Sequence, residues 1–282
     1  MNANTMIDLA PGHKTGLIVK NPVLLAGGSI GYGEAVGSGL DVKQLGAVVV
    51  GPVLRQSGSG PTPPRLAELP GGFVLGVGAQ NRGVNDVVKR FSRQWARLGA
   101  PVIVQVAETR PSALTPVIER LSTIEAVAGI ELLMVAGMDA ERVQRAVYTT
   151  MQICDAPIWV KLPLGEAAAL APVAVEAGAV GIVVGQPPQA AALRPLAATG
   201  ASTLIQGVLY GPIVFHLMLA ALLAVSKLAL PAALIACGGI HTEVQARTVL
   251  EITGVRALQI DSALWVEPGL PVQLAAALYP SA

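Results

Sequence analysis

The sequence is poor in charged residues, in aromatic residues and in cysteine. Charged residues make up 13% of its 282 residues, and 19 basic against 18 acidic side chains give a formal net charge of +1. A nucleic-acid binder needs clustered Lys and Arg to neutralise phosphates, so this balance argues against one. The two cysteines, Cys154 and Cys237, are too few for a disulfide framework. We therefore expect a reducing, cytoplasmic compartment.

The sequence also lacks a hydrophobic run long enough to cross a membrane. Its most apolar stretch, residues 213–225, is shorter than the roughly 20 residues that a spanning helix needs. Residues 1–5 carry neither the basic flank nor the apolar run of a secretory signal. The expectation is a protein without a membrane span and without a targeting segment.

Apolar residues are abundant and follow a regular alternation. Hydrophobic residues make up 52% of the chain, too many for a disordered protein. Short Val-, Ile- and Leu-rich runs, each followed by a segment with helical spacing, occur at 23–25, 47–50, 102–106, 130–135, 158–162, 180–184, 233–236 and 257–260. Such runs are typical of parallel strands covered by helices. They predict an α/β fold, a single-domain (β/α)8 TIM barrel over residues 1–282; an open doubly wound sheet is the alternative.

Local signals mark two helix starts and one irregular segment. Asp139 can cap a helix that extends to residue 153, and Thr242 with Gln245 has the spacing of a capping box. Residues 51–75 contain five prolines and several glycines, so we expect an irregular excursion after the second strand. In a barrel this excursion lies on the C-terminal face, where active sites are built.

A few polar or glycine-rich motifs interrupt the alternation. Lys161 lies in a run that should be buried, so it needs a charged partner or a ligand. We favour a position in the barrel mouth, where it would stabilise negative charge on a cofactor. Gly238-Gly239 lets backbone N–H groups approach an anion, with an ordinary turn as the alternative. The glycines of residues 76–83 lack dinucleotide-loop spacing and predict a tight turn. The three histidines share no metal-ligand spacing, so no metal site is predicted.

Motifs along nearly the whole chain resemble those of the dihydroorotate dehydrogenases. They include Asn21-Pro22, Ala26-Gly27-Gly28, Pro63-Pro64-Arg65, Gly78-Ala79-Gln80-Asn81, Val160-Lys161-Leu162, Gly211-Pro212 and Gly238-Gly239-Ile240. The soluble, cytosolic class fits, because no membrane-associating helix precedes the barrel. The resemblance implies an FMN-containing barrel that oxidises dihydroorotate to orotate in pyrimidine synthesis. In that reaction a side-chain base removes a proton at C5 while a hydride leaves C6 for the flavin N5.

The resemblance also implies a set of cofactor-binding residues. By position, Ala26 and Gly27 would line the flavin edge through backbone atoms. Lys161 would lie against the flavin N1 and C2 carbonyl region, where positive charge stabilises the reduced flavin. The paired glycines after the seventh strand would cradle the flavin phosphate, and a second phosphate loop would follow the eighth strand. The full set is Ala26, Gly27, Lys161, Gly211, Gly238, Gly239 and Ser262.

The implied active site departs from the family pattern. The position of the family's base falls at Ala136, so no catalytic base is assigned. Gly51 replaces a lysine that contacts flavin and substrate, while Leu75 and Leu133 replace substrate asparagines. Asp261 replaces a glycine of the second phosphate loop, where a carboxylate would repel a phosphate. The predicted substrate pocket consists of Gly51, Leu75, Gly78, Ala79, Gln105, Leu133 and Gly185; the family also has asparagine in place of Gln105 and Gly185.

Two functional alternatives follow from these matches and departures. The first is a flavin-dependent oxidoreductase acting on dihydroorotate or on a less polar substrate, with the small molecule bound in the barrel mouth. The second is a non-catalytic barrel that serves as a scaffold or as a subunit of an assembly. The segment 212–230 has almost no polar face. We therefore predict a homo-oligomer or a complex formed through this helix, with its own C-terminal segment as the other possible cover.

Overall fold

The computed structural model describes residues 7–36, 39–195 and 202–279. The strands are β1 (Ile7–Asp8), β2 (Ile18–Val19), β3 (Val23–Leu25), β4 (Ala47–Val53), β5 (Leu66–Leu69), β6 (Gly72–Leu75), β7 (Val102–Val106), β8 (Val127–Leu133), β9 (Ile158–Pro163), β10 (Gly181–Gln186), β11 (Gln189–Pro195), β12 (Ser202–Tyr210), β13 (Ala233–Cys237) and β14 (Val255–Ile260). The helices are α1 (Val84–Trp95), α2 (Pro111–Ser122), α3 (Ala140–Met151), α4 (Ala167–Glu176), α5 (Val214–Ser226), α6 (Glu243–Leu250), α7 (Ala263–Val266) and α8 (Leu270–Leu278). Residues 1–5, expected to carry no targeting signal, lie outside the described residues.

Parallel strands close into a barrel, with the order β3, β4, β7, β8, β9, β10, β13 and β14 around it. The ring is complete because β14 pairs with β3 in parallel, as each of the other neighbours does. Each of the eight apolar runs of the sequence coincides with one of these strands. The prediction of a (β/α)8 barrel is confirmed, and the open sheet is excluded.

Side chains on the strands point alternately into and out of the barrel, because a strand repeats every two residues. The inward residues Leu24, Ile103 and Ile235 form a small cluster around Trp159, which is almost fully buried. The indole nitrogen of Trp159 donates a hydrogen bond to the carbonyl of Leu9 at 2.8 Å. The outward residues pack against the helices and form the larger core. Apolar side chains therefore fill the end of the barrel nearest to Leu9, and the buried polar side chains lie towards the other end.

Both helix caps predicted from the sequence are confirmed. The carboxylate of Asp139 accepts a hydrogen bond from the backbone nitrogen of Arg142 at 2.8 Å, and α3 begins at the next residue. The hydroxyl of Thr242 accepts from the nitrogen of Gln245 at 3.2 Å, while the Gln245 side chain accepts from the Thr242 nitrogen at 3.1 Å. These two caps fix where α3 and α6 leave the C-terminal ends of their strands.

A second sheet stands beside the barrel, and the sequence analysis did not predict it. It is antiparallel, with the order β11, β12, β6 and β5. Two of its strands lie within residues 51–75, the segment expected to be irregular. Tyr210 of β12 pairs with Phe73 of β6, and Val208 pairs with Leu75. Strands β5 and β6 are short and lie between prolines and glycines, so the alternation of apolar and polar residues is too brief to predict them. The second sheet nevertheless builds one wall of the cavity described below.

Helix α5 presents apolar side chains on both sides. Its buried side chains are Val214, Phe215, Met218, Leu222 and Val225. Apolar residues on the opposite side and flanking the helix remain 41–49% exposed: Ile213, Leu217, Leu223 and Leu228. Helix α5 therefore lacks a polar face, as predicted. The homo-oligomer stays a prediction. None of the described helices is both long enough and apolar enough to span a membrane.

Candidate ligand-binding site

A layer of polar side chains crosses the barrel above its apolar half. Gln105, Glu131, Lys161, Cys237 and Gln259 are contributed by β7, β8, β9, β13 and β14, and all five are buried. On its strand, each of these residues is two positions after another residue, so the two share one face of the strand. Closure of the barrel brings all five side chains to one level. Residues that are far apart in the sequence therefore meet at the C-terminal end.

Hydrogen bonds join these side chains into one network. The amides of Gln105 and Gln259 donate to the two oxygens of Glu131, at 2.7 and 2.5 Å. The ammonium of Lys161 donates to the Gln259 oxygen at 3.1 Å and to the Cys237 sulfur at 3.2 Å. The network satisfies a buried carboxylate and a buried ammonium with protein partners. The partner expected for Lys161 thus exists within the chain.

The network holds Lys161 in its charged form. Burial favours the neutral amine, but the hydrogen bond to the Cys237 sulfur and the attraction of the Glu131 and Asp261 carboxylates outweigh it and raise the pKa of Lys161. Burial raises the pKa of the Cys237 thiol to about 12, so this sulfur remains protonated at neutral pH. The carboxylates of Glu131 and Asp261 therefore balance the charge of the lysine.

Asp261 lies two residues beyond Gln259 and has no such partners. Its side chain is 7% exposed, and no described residue donates a hydrogen bond to its carboxylate. Burial raises the pKa of this carboxyl from its ordinary value of 3.8 to about 6, although the attraction of Lys161 opposes the change. Among the described residues, the fully buried side-chain atom without a partner is Nε2 of His241, so the carboxylate oxygens of Asp261 are open to the cavity described below. Carboxyl groups with a raised pKa are concentrated at functional sites.

A cavity of about 1080 Å³ opens above the polar layer. Gly27, Gln105, Lys161 and Asp261 line it from the barrel, and β6, β12 and residues 75–82 supply further walls. Its size is at the upper end of the range for small-molecule sites. The cavity is therefore the candidate binding site of the protein.

Three aromatic side chains meet beside Asp261. The rings of Phe73 and Tyr210 are stacked with their centroids 5.5 Å apart, and Trp265 lies 5.6 Å from the first and 5.9 Å from the second. The indole nitrogen of Trp265 donates to the carbonyl of Ser29 at 3.2 Å, which fixes the orientation of this ring. Tyr210 and Trp265 both line the cavity.

The structure brings most of the predicted site residues to this cavity, but not all of them. Those that line it are Gly27, Lys161, Gly51, Leu75, Gly78, Ala79, Gln105 and Leu133. Those that lie outside its lining are Ala26, Gly211, Gly238, Gly239, Ser262 and Gly185. The predicted substrate pocket is thus largely one surface, whereas the predicted phosphate loops do not contribute to the lining, although Gly211 and Ser262 directly follow the lining residues Tyr210 and Asp261.

The paired glycines after β13 pack against α5. A Cβ on Gly239 would overlap the backbone nitrogen of Phe215, and one on Gly238 would come within 3.2 Å of Val214. A Cβ on Gly185 would overlap Cys237 in the same way. Both paired glycines also have positive φ angles, of 117° and 70°. Glycine is needed here for the close approach of a helix and for the turn.

Ala136, where the resemblance places the family's base, is not part of the cavity lining. Ala136 is exposed, and Asp139 caps α3 three residues later. The connection between β8 and α3 is therefore short, as expected from the sequence. Within the part of the chain that is described, no group of His, Cys, Asp and Glu side chains could hold a metal ion.

Sequence reasoning missed several residues of the site. Glu131 interrupts a buried apolar run as Lys161 does, so the same argument would have predicted a partner for it. No local pattern predicts the roles of Gln259 and Tyr210. Gln259 bonds Glu131, which is 128 residues away in the sequence, and Tyr210 is placed by the second sheet.

Comparison with known proteins places this barrel in one family. The family model for dihydroorotate dehydrogenase matches residues 13–278. This chain belongs to the dihydroorotate dehydrogenase family. The catalytic subunit of dihydroorotate dehydrogenase B (NAD⁺) from Pelobacter propionicus is 28% identical over 92% of the chain and 89% of the relative. The same subunit from Geotalea daltonii is 27% identical over 94% and 90%. The one from Desulforudis audaxviator is 38% identical over 42% of the chain and 38% of its own length.

Membership of the family connects the cavity to flavin enzymes. Members of this family are flavin (FMN) enzymes. Lys161 and Gly27, which the resemblance assigns to the flavin, both line the cavity. The family supports a function that is similar to that of dihydroorotate dehydrogenases.

Proposed function

We propose that this chain is a small-molecule-binding barrel of the dihydroorotate dehydrogenase family that does not oxidise dihydroorotate with FMN. The observation that carries the proposal is Asp261. It puts a buried, unpartnered carboxylate into the cavity where the resemblance expects a glycine of a phosphate loop. A phosphate dianion beside it would add a like-charge repulsion to the cost of leaving water.

The residues present do not fit the phosphate end of FMN. Of the described cavity-lining residues, Lys161 and Arg82 are the cations. Lys161 is held by Gln259 and Cys237, and Arg82 lies at the exposed rim, 3.9 Å from Glu34. The paired glycines that the resemblance assigns to the phosphate also pack against Phe215. The backbone N–H groups of Gly238, Gly239 and Ser262 have no acceptor among the described residues, so the misfit lies in the carboxylate of Asp261 and not in a lack of donors.

The substrate side of the cavity is apolar at two positions where the resemblance implies amide side chains. Leu75 and Leu133 line the cavity at positions where the family pattern has asparagine. A polar ring group bound against these leucines would be left unpaired, which costs about 1–3 kcal/mol for each such group. The exposed Ala136 can take no proton, and the loss of a general base costs about 10² to 10⁴ in rate.

A flavin-dependent oxidoreductase is the second candidate. It is favoured by one specific observation, the charged Lys161 in the cavity beside Gly27. In this candidate the lysine would stabilise the reduced flavin, and the substrate would be less polar than dihydroorotate.

The assay that tests the proposal is dihydroorotate-dependent reduction of a dye, with FMN added. We expect no turnover above the protein-free rate, because the position of the base is Ala136 and two of the substrate asparagines are replaced by Leu75 and Leu133. The catalytic subunit from Pelobacter propionicus, assayed in parallel, is the positive control. Turnover within about tenfold of that control would show that another residue supplies the proton transfer, and the proposal would be abandoned.

A further inference from the structure

Asp261 is a candidate ligand contact, because its carboxylate receives no hydrogen bond from the described residues. Its carboxylate is buried and lines the cavity, and no described side chain or backbone N–H donates to it. Glu131, the other carboxylate of this region, receives two amide donors. The contrast between the two acids indicates that the missing donors of Asp261 come from a bound molecule.

The charges of the region specify the sign of that molecule. Lys161 contributes one positive charge, and Glu131 and Asp261 contribute two negative charges when both are ionised. Lys161 attracts both carboxylates, so one net negative charge remains when both are ionised. A bound monocation would neutralise this charge, whereas an anion would increase the cost of burial.

The aromatic side chains beside Asp261 specify the shape of the molecule. Tyr210 is stacked on Phe73, and Trp265 lies within 5.9 Å of Tyr210. Aromatic faces attract organic cations and also provide apolar contact area. An ammonium or amidinium on a compact apolar group can use both features at once, while a hydrated metal ion would use neither.

From these contacts we infer that the cavity binds a small organic monocation, an amine or an amidine, with its N–H groups on Asp261 and its apolar part beside Tyr210 and Trp265. The inference deepens the proposed function and rests on it, since FMN and such a ligand would compete for one cavity.

Calorimetric titration with benzylamine and benzamidine tests the inference, with benzyl alcohol and benzoate as the neutral and anionic analogues. We expect both cations to bind at least about tenfold more tightly than either analogue. Asp261→Asn should lower the affinity for both cations by about ten- to a hundredfold, because a charge-assisted hydrogen bond is lost. The matched control is Glu267→Gln, which removes an exposed acid and should leave their affinity unchanged.

The dependence on pH gives a second readout. The groups whose charges act on Asp261 or respond to it are Lys161 of β9, Glu131 of β8, Cys237 of β13 and Tyr210 of β12. The pKa of Asp261 is about 6, so its carboxylate is largely protonated at pH 5, and binding of a cation should be about tenfold weaker there than at pH 8.

The outcomes separate the inference from the proposed function. Equal affinity for benzylamine and benzyl alcohol, or unchanged binding by Asp261→Asn, would overturn the inference. If the inference fails in this way and the protein also takes up no FMN, the proposed function stands without the inference. If it takes up FMN instead of the cations, both are overturned.

Discussion

Replacing Lys161 with Met is expected to lower the free energy of unfolding by about 3–5 kcal/mol. Lys161 donates to Gln259 and Cys237 in a fully buried network, and its charge balances that of Glu131. Met has a similar length but no charge and no donor, so the variant leaves an uncompensated carboxylate inside the barrel. Urea denaturation at pH 7 measures the loss.

The double variant Lys161→Met with Glu131→Gln identifies the cause of this loss. It removes both charges and retains an amide between Gln105 and Gln259, so it should recover most of the lost stability. Lys89→Met, at an exposed position on α1, is the matched control and should change stability by no more than about 0.5 kcal/mol. A Lys161→Met variant as stable as this control would mean that the lysine is not part of a charge network.

Replacing Asp261 with Asn is expected to stabilise the protein above pH 6. The pKa of this carboxyl is about 6 in the folded chain against 3.8 ordinarily, so the folded state binds the proton more tightly than the unfolded state. Stability from this group is therefore fully present below pH 3.8 and is lost as the pH rises through 6. A difference of this size corresponds to about 3 kcal/mol.

Thermal or urea unfolding from pH 4 to pH 8 measures this effect. The variant should be more stable than the parent by about 3 kcal/mol at pH 8, and the difference should shrink towards pH 4. Glu267→Gln, which removes an exposed acid, should show no such trend. A constant difference across the pH range, or a variant less stable at pH 8, would contradict the burial of an unpartnered carboxylate.

The sequence predicted the barrel because its signal is local. Every barrel strand is a continuous apolar run, and the caps at Asp139 and Thr242 are readable from neighbouring residues. The second sheet was missed because β5 and β6 are short and lie among prolines, and because β11 and β12 alternate weakly. Its pairing of Phe73 with Tyr210 joins parts of the chain that no local pattern connects.

The candidate site was predicted in position but not in its contacts. Lys161 was placed in the barrel mouth, and it does line the cavity. Its network could not be predicted, because the partners of Glu131 are 26 and 128 residues away and meet only when the barrel closes. Gly238 and Gly239 were predicted to let backbone N–H groups approach an anion or to form a turn, and the sequence does not show that Phe215 of α5 packs against them.

Uptake of FMN by the purified protein tests the central claim most directly, that the cavity offers a carboxylate rather than a phosphate site. Equilibrium dialysis against FMN, followed by measurement of flavin on both sides, gives the amount bound per chain. We predict that FMN distributes evenly and that the protein stays colourless. One FMN bound per chain, displaced neither by dialysis nor by benzylamine, would contradict the account.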